Sequence, residues 1–372
     1  MDLTKQAVAT VVLYLVFAFW FITVDDVRFI TFWSTKIGGA DLSGMEIARI
    51  TPTNRVVFAT KNLKRGDEIA FIPFSMVIGP HLPIFKRYES YSIPTEFKYA
   101  ATIVDICNQP GLHLWIAHCR ILPKTLTLPI YYTDEFISEH VPFNSTLFHK
   151  IMRTRTDLAT YGNILNKTVE EMRWGWSIMV SRSFGIHYDE NSNVDLPGMI
   201  PVIDMANHHG VDPNTLLTVV YTRNGLIWTA SRDVEMGEEL TYNYGLEKSN
   251  FELLFYYGFT LEEHTRNLMN DCDFNPDTAT ALTDYLHMKF LDEVHINPDL
   301  SRALSDEAVC LYRKMKEIEG DKEDEQVVEE EEVQEGGDEE EEEVQEEEEE
   351  EDANEIHCTG DEESLEDCGV EE

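Results

Sequence analysis

Two stretches of this chain, 59–69 and 230–240, repeat one another at a constant offset of 171 residues. Ala59-Thr60-Lys61-Asn62-Leu63-Lys64-Arg65-Gly66-Asp67-Glu68-Ile69 is echoed by Ala230-Ser231-Arg232-Asp233-Val234-Glu235-Met236-Gly237-Glu238-Glu239-Leu240. Each copy sits between two β-rich runs: Val56 to Ala59 and Glu68 to Ile72 in the first, Leu226 to Ala230 and Glu239 to Tyr242 in the second. The polar connection carries one glycine, Gly66 or Gly237, at the same place, where a turn requires positive φ. Asn224-Gly225, between Leu216–Tyr221 and Leu226–Ala230, is a strong hairpin signal. A chain with these features is expected to build two small antiparallel β units.

Between the copies the texture changes. From about Leu82 to Ile178 the apolar residues are more widely spaced and β-branched alternation fades, which predicts a mostly helical insertion. Beyond His264, Leu282, Tyr285, Leu286 and Phe290 are spaced to line one helical face within Thr278 to Glu317. The expected fold class is α+β, with short antiparallel sheets, a helical insertion at about 82–178 and a short helical C-terminal region over 266–320.

The two ends differ in kind from this body. Residues 321–372 hold 30 acidic residues against one lysine, Lys322, so −29 of the net charge of −41 sits there and −12 in the other 320. Like charges at that density repel and cannot offset the entropy of ordering, which predicts a disordered tail that solubilises the chain or attracts a basic protein partner. No direct nucleic-acid binding is expected. At the other end, Ala7 to Val24 carries no charge, enough for roughly 27 Å of helix against a bilayer core of ~30 Å. Bulky Phe19 to Ile22 and the lack of a small-residue cleavage pattern favour a membrane anchor within 1–26, at the endoplasmic reticulum for example, over a removed signal peptide. Lys5 before the run and Arg28 and Lys36 after it leave the orientation open. Asn144-Ser145-Thr146 and Asn166-Lys167-Thr168 are glycosylation sequons that matter only if the body is lumenal. The six cysteines include no CxxC pair, so neither a zinc cluster nor a disulfide framework is indicated, and no metal is expected.

Three segments carry the chemistry: Ser181-Arg182-Ser183-Phe184, Asp204-Met205-Ala206-Asn207-His208, and Gly237 to Gly245, the last continuing through Lys248 to Phe259. In this order and spacing they resemble SET-domain protein methyltransferases, in the branch typified by the Rubisco large-subunit lysine methyltransferase. Leu122-Pro123 with Pro129 to Phe136 is similar to that branch's helical insert. The resemblance covers about 45–259, and the SET domain itself is taken as 45–265. Singly, each residue has a plainer reading. Asn207-His208-His209 could be a polar turn or a metal fragment, the tyrosines core aromatics, and Arg182 a surface ion-pair partner. The order of the motifs, bracketed by the repeat, favours the functional reading.

The resemblance implies a knot-like β fold that takes S-adenosyl-L-methionine on one face and the substrate side chain on the other. Carried over residue by residue, Asn207 and His208 hold the cofactor and Arg182 binds near its carboxylate end. Tyr244 sits at the methyl-transfer point, and Tyr257 lines the channel for the acceptor nitrogen. Members that methylate histidine are associated with an asparagine and a tryptophan where this chain has Phe184 and Ile203. A phenyl ring cannot hydrogen-bond an imidazole, so these two substrate-side positions favour a lysine acceptor, on a non-histone protein. The chemistry suits the residues: a sulfonium methyl is already activated, so the protein must align the reactants and exclude water. Deprotonating lysine at pH 7 costs about 4 to 5 kcal/mol, and a dry channel beside a positive charge lowers that cost.

The match has a gap. Where the family usually carries Gly-x-Gly before the first repeat copy, this chain reads Asn54-Arg55-Val56. Backbone contacts from Thr53 and Arg55 to the cofactor do not need particular side chains, whereas a side chain at Val56 could crowd the ligand. The alternative reading is therefore a catalytically degenerate SET domain that serves as a protein-interaction module with an acidic tail.

Overall fold

The computed structural model describes residues 24–51, 55–111, 113–143, 145–191, 194–210, 212–245 and 248–261, together with positions between Asp299 and Lys314. The expected membrane anchor, the acidic tail, Thr53, Asn54 and most of the 266–320 region lie outside these residues. Among the described residues, no helix is long and apolar enough to cross a membrane.

The 171-residue repeat becomes a local two-fold relationship between the two copies. Gly66 N–H donates to the Ala230 carbonyl and Gly237 N–H to that of Ala59, each at 2.8 Å. Ala230 N–H donates to Asp67 and Ala59 N–H to Glu238, each at 3.0 Å, while Leu63 and Val234 exchange bonds at 2.8 and 2.9 Å. Side chains follow the same symmetry, with Asp233 accepting from Arg65 N–H at 3.1 Å and Asn62 from Met236 N–H at 2.8 Å. Gly66 and Gly237 sit at φ +90° and +86°, so the glycines are fixed by the turn itself. Each copy alone would leave its edge groups unpaired; together they satisfy one another.

Around this junction run short strands. β1 (Met45–Arg49) pairs antiparallel with β2 (Arg55–Ala59). β3 (Glu68–Pro73) joins a sheet also containing β7 (Thr215–Val220) and β8 (Gly225–Ala230), in the order β3-β8-β7. The expected hairpin is present, with Asn224 left-handed at φ 51°. A Cβ on Gly225 would lie 2.5 Å from the Ile72 carbonyl oxygen, so glycine lets β3 and β8 approach. β4 (Ser183–Ile186) pairs with β5 (Leu196–Met199), and β6 (Asn207–His208) runs parallel to β9 (Thr241–Tyr242). Fully buried Trp228, Leu63, Ile69 and Ile72 form the core between these sheets, joined by Phe29 and Ile30 of α1 (Asp26–Lys36).

Helices fill the stretch between the repeats: α2 (Thr95–Asn108), α3 (Ile116–Ile121), α4 (Asp134–His140), α5 (Thr146–Leu165) and α6 (Val169–Arg182). Thr133 and Ser145 cap α4 and α5, and Thr168 with Glu171 closes a capping box on α6. α2 and α6 pack closely: a Cβ on Gly175 would stand 2.4 Å from the Ala100 carbonyl oxygen. Lys167 and Tyr88 both bind the carboxylate of Asp105 on α2, pinning the α5–α6 turn to that helix. The described residues between Asp299 and Leu311 are helical, and buried Glu307 accepts the first N–H groups of α5, Thr146 and Leu147. A carboxylate there completes that helix N-terminus.

The cysteine expectation is corrected. Cys107 on α2 and Cys119 on α3 form a disulfide, with Cα atoms 5.2 Å apart, and Cys310 is disulfide-bonded as well. A separation of 12 residues without a CxxC gives no sign of this; the chain reversal from α2 into α3 creates the pairing. Closing a loop of that length contributes on the order of 3 kcal/mol in the chain-entropy account.

Candidate active site

The site is assembled from the end of α6, the approach to β6, the start of β2 and the segment after β9. Val202 leads into it with φ +78°, a conformation that costs a β-branched residue about 1–3 kcal/mol and persists only when packing imposes it. Val202 is fully buried. The turn over Ile203–Met205 follows and brings Asp204 inward.

Asp204 is the electrostatic centre of this wall. Its Oδ2 lies 2.9 Å from His118 Nε2 on α3 and 3.4 Å from Arg182 Nη1, which also donates to the Asp204 carbonyl at 2.8 Å. Burial alone would raise the pKa of this carboxyl. His118 and Arg182, by charge and hydrogen bond, outweigh burial and hold it below the ordinary value. Arg182 is thereby fixed at the α6 terminus with its Nε buried and unpaired.

Asn207 ties two further elements together. Its Nδ2 donates to Glu239 Oε1 at 2.7 Å and to the Arg55 carbonyl at 3.3 Å, so β6 fixes where β2 begins. His208 accepts the Tyr244 N–H on Nδ1 at 3.1 Å, which places the ring proton of the neutral form on Nε2. The Tyr244 hydroxyl donates to the Ala206 carbonyl at 2.8 Å. Burial is the main cause that pushes its pKa up to about 12, so the phenol stays neutral. Tyr257, on α7 (Asn250–Tyr257), brings its ring to 4.8 Å from that of Tyr244, and burial raises its pKa too. The α7 terminus is set by Gly258, left-handed at φ 82°.

Of these groups, Arg55, Arg182, Asp204, Asn207, Tyr244 and Tyr257 line a cleft of about 630 Å³, within the usual range for a small-molecule site. Its rim is rich in cations. Arg120 pairs with Asp26 at 2.6 Å, with Arg49 3.8 Å from the same carboxylate, and Lys124 lies over the Trp174 ring. Arg55 differs: it lines the cleft with no ion pair to a carboxylate among the described residues, and its Nε is buried and unpaired. Burial first, then the charges of Arg182 and Arg49, lowers its pKa. Such a group favours an anionic ligand end.

Arg182, Asn207, His208, Tyr244, Tyr257 and the Arg55 backbone, all singled out from sequence, are thus brought together. Thr53 lies outside the described residues. Phe184 packs edge-on against Tyr242 at 5.2 Å and Ile203 is fully buried in the core, so neither lines this cleft. Val56 does not crowd it either: the side chain is buried within β2, and Arg55 is the residue that turns into the cleft. Sequence reasoning missed His118, Arg120 and Lys124, which reach the site from the insertion and leave no local motif. It quoted Asp204 without giving it a role.

Comparisons with known proteins bear on the fold. The family model described as SET domain matches residues 54–245, more than half of the chain. The SET domain-containing protein 8 of Schizosaccharomyces pombe is 23% identical over 169 residues, covering 44% of this chain and 38% of that protein. The Pisum sativum ribulose-1,5 bisphosphate carboxylase/oxygenase large subunit N-methyltransferase is 24% identical over 232 residues, 56% of this chain and 46% of that one. The chain thus spans less than half the length of these curated relatives. A crystal structure of the SET domain of LSMT bound to lysine and AdoHcy superposes with a TM-score of 0.58 at 14% identity, over 80% of this chain and 91% of that one. That likeness establishes the fold: the reciprocal repeat, the strand pairs around it and the family match together show that this chain belongs to the SET-domain family.

Proposed function

We propose that this chain is an S-adenosyl-L-methionine-dependent protein N-methyltransferase acting on lysine of a non-histone protein. The observation that carries the reading is the convergence of Arg55, Arg182, Asn207, Tyr244 and Tyr257 on one cleft, with His208 holding the Tyr244 backbone. The two buried, unpaired guanidinium Nε atoms fit a carboxylate-bearing ligand, and the aromatic side fits an apolar stem with a nitrogen at its tip. Lysine as acceptor is supported by the similar SET domain of LSMT, whose structure holds lysine and AdoHcy.

When bound, S-adenosylmethionine would supply a methyl group already activated on its sulfonium. Arg55 and Arg182 would hold the carboxylate end, with Asn207 fixing the start of β2 that carries Arg55 and His208 fixing the backbone of Tyr244. Tyr244 stays protonated, with its hydroxyl held by Ala206, so it presents a fixed dipole and offers no competing nucleophile. Tyr257 screens that hydroxyl from water. The cleft's carboxylates, Asp26 and Asp204, are both engaged in ion pairs, so the proton of the incoming ammonium leaves to solvent. The N-terminal apolar run would anchor the enzyme to a membrane, and the acidic tail would draw basic proteins to it.

The test is incubation of the purified chain with labelled S-adenosylmethionine and proteins of its own source, followed by peptide mass analysis. Methyl groups on lysine whose rate of appearance falls at least about tenfold with Tyr244→Phe support the proposal; transfer to no side chain, or to histidine, refutes it.

A further inference from the structure

We propose that the SET body of this chain works in an oxidising, glycosylating compartment and that Asn166 is an N-glycan acceptor. The first observation is covalent. Cys107 and Cys119 are joined although they lie on different helices, and Cys310 is also in disulfide linkage. Cytosolic proteins keep their thiols reduced, and structural disulfides belong to secreted, lumenal or surface chains. Cys119 is buried at 6% exposure within the insertion, away from any role in the cleft chemistry. The bond is therefore structural, and needs an oxidising environment to form.

The second observation is the sequon Asn166-Lys167-Thr168 in the turn between α5 and α6. Capping explains part of it: Asn166 takes the left-handed helix end at φ 56°, and Thr168 begins the capping box. Capping uses the Asn166 backbone N–H, and its side chain is exposed. The acceptor nitrogen therefore faces solvent. The 14 residues of α6 put about 20 Å of helix between this turn and Arg182, so a glycan here leaves the cleft open. A second sequon, 144–146, flanks the other end of α5, and the apolar run over 7–24 is the kind of segment that delivers a chain to such a compartment.

The inference stands apart from methyl transfer and is tested without it. The full chain, with its own N-terminus, is expressed in eukaryotic cells in an Asn144→Gln background, with and without Asn166→Asp. Aspartate tolerates the left-handed turn but removes the acceptor amide. The expected result is one glycan, released by peptide N-glycosidase and absent from the Asn166→Asp form, together with a Cys107–Cys119 cross-linked peptide in unreduced digests. A chain whose mobility is unchanged by the glycosidase overturns the modification site. Alkylation of both Cys107 and Cys119 without reductant overturns the oxidising compartment, whatever the methyltransferase assay gives.

Discussion

The imidazole of His118 and the carboxylate of Asp204, 86 residues apart in sequence, meet at 2.9 Å with both side chains almost wholly buried. The same carboxylate holds Arg182, so a contact between α3 and the turn before β6 decides where the cleft's guanidinium stands.

Asp204→Asn should destabilise the fold by about 3 kcal/mol, because it leaves Arg182 without its buried counter-charge. The pH dependence follows from the sign of the shift. The folded pKa of Asp204 lies below the unfolded value, so its contribution is complete above about pH 4 and is lost as pH falls through the folded value. Urea unfolding at several pH values should show the two proteins converging in acid. A gap that stays constant down to the acid limb would count against the assignment.

Replacing Tyr244 by Phe removes the hydroxyl held by Ala206 and leaves the rings of His208 and Tyr257 in place. Turnover should fall about tenfold to a hundredfold, or ~1.4–2.7 kcal/mol of transition-state stabilisation. Affinity for S-adenosylhomocysteine should change less than about twofold on the same energy scale. Equal losses in kcat and affinity would make Tyr244 a binding residue only.

Much of this architecture was legible in the sequence because it is local or repetitive. The 171-residue offset marked the two β units, since turn glycines and β-rich runs leave a readable pattern, but not the reciprocal bonds between Gly66 and Ala230 and between Gly237 and Ala59 that join them. The helical character of the insertion was readable for the same reason. What stayed hidden depends on segments distant in the chain: the His118–Asp204 pair, the Cys107–Cys119 bond and the placement of Lys124. The facing of Phe184 and Ile203 is likewise set by local backbone geometry that motif order does not encode; the buried turn after Val202 sends Ile203 into the core.

Arg55→Ala should discriminate between two ligands. S-adenosylhomocysteine, which carries an amino-carboxylate, should lose about 1.5–3 kcal/mol of binding, the range for a hydrogen bond to a charged group. Methylthioadenosine, which lacks that end, should bind as before. Titration calorimetry reads both, and parallel losses would show that Arg55 acts on the fold of β2 instead.

Gly258 ends α7 at φ 82°, and an added Cβ would come within 3.0 Å of Thr127 Oγ1. Gly258→Ala should cost about 1–2 kcal/mol from the left-handed backbone. Because Tyr257 immediately precedes it, KM for the protein substrate should rise as well. Denaturation midpoints and initial rates check the two effects; a stability change with unaltered KM would separate the α7 terminus from the acceptor channel.

The most direct measurement is calorimetric titration of S-adenosylhomocysteine into the purified full chain, which lacks the usual Gly-x-Gly and presents Arg55 there instead. Saturable one-to-one binding at a Kd on the order of micromolar, about −8 kcal/mol, is the expected result. Absence of binding heat at millimolar ligand, from protein shown to be folded, would contradict it and leave a SET fold without its cofactor.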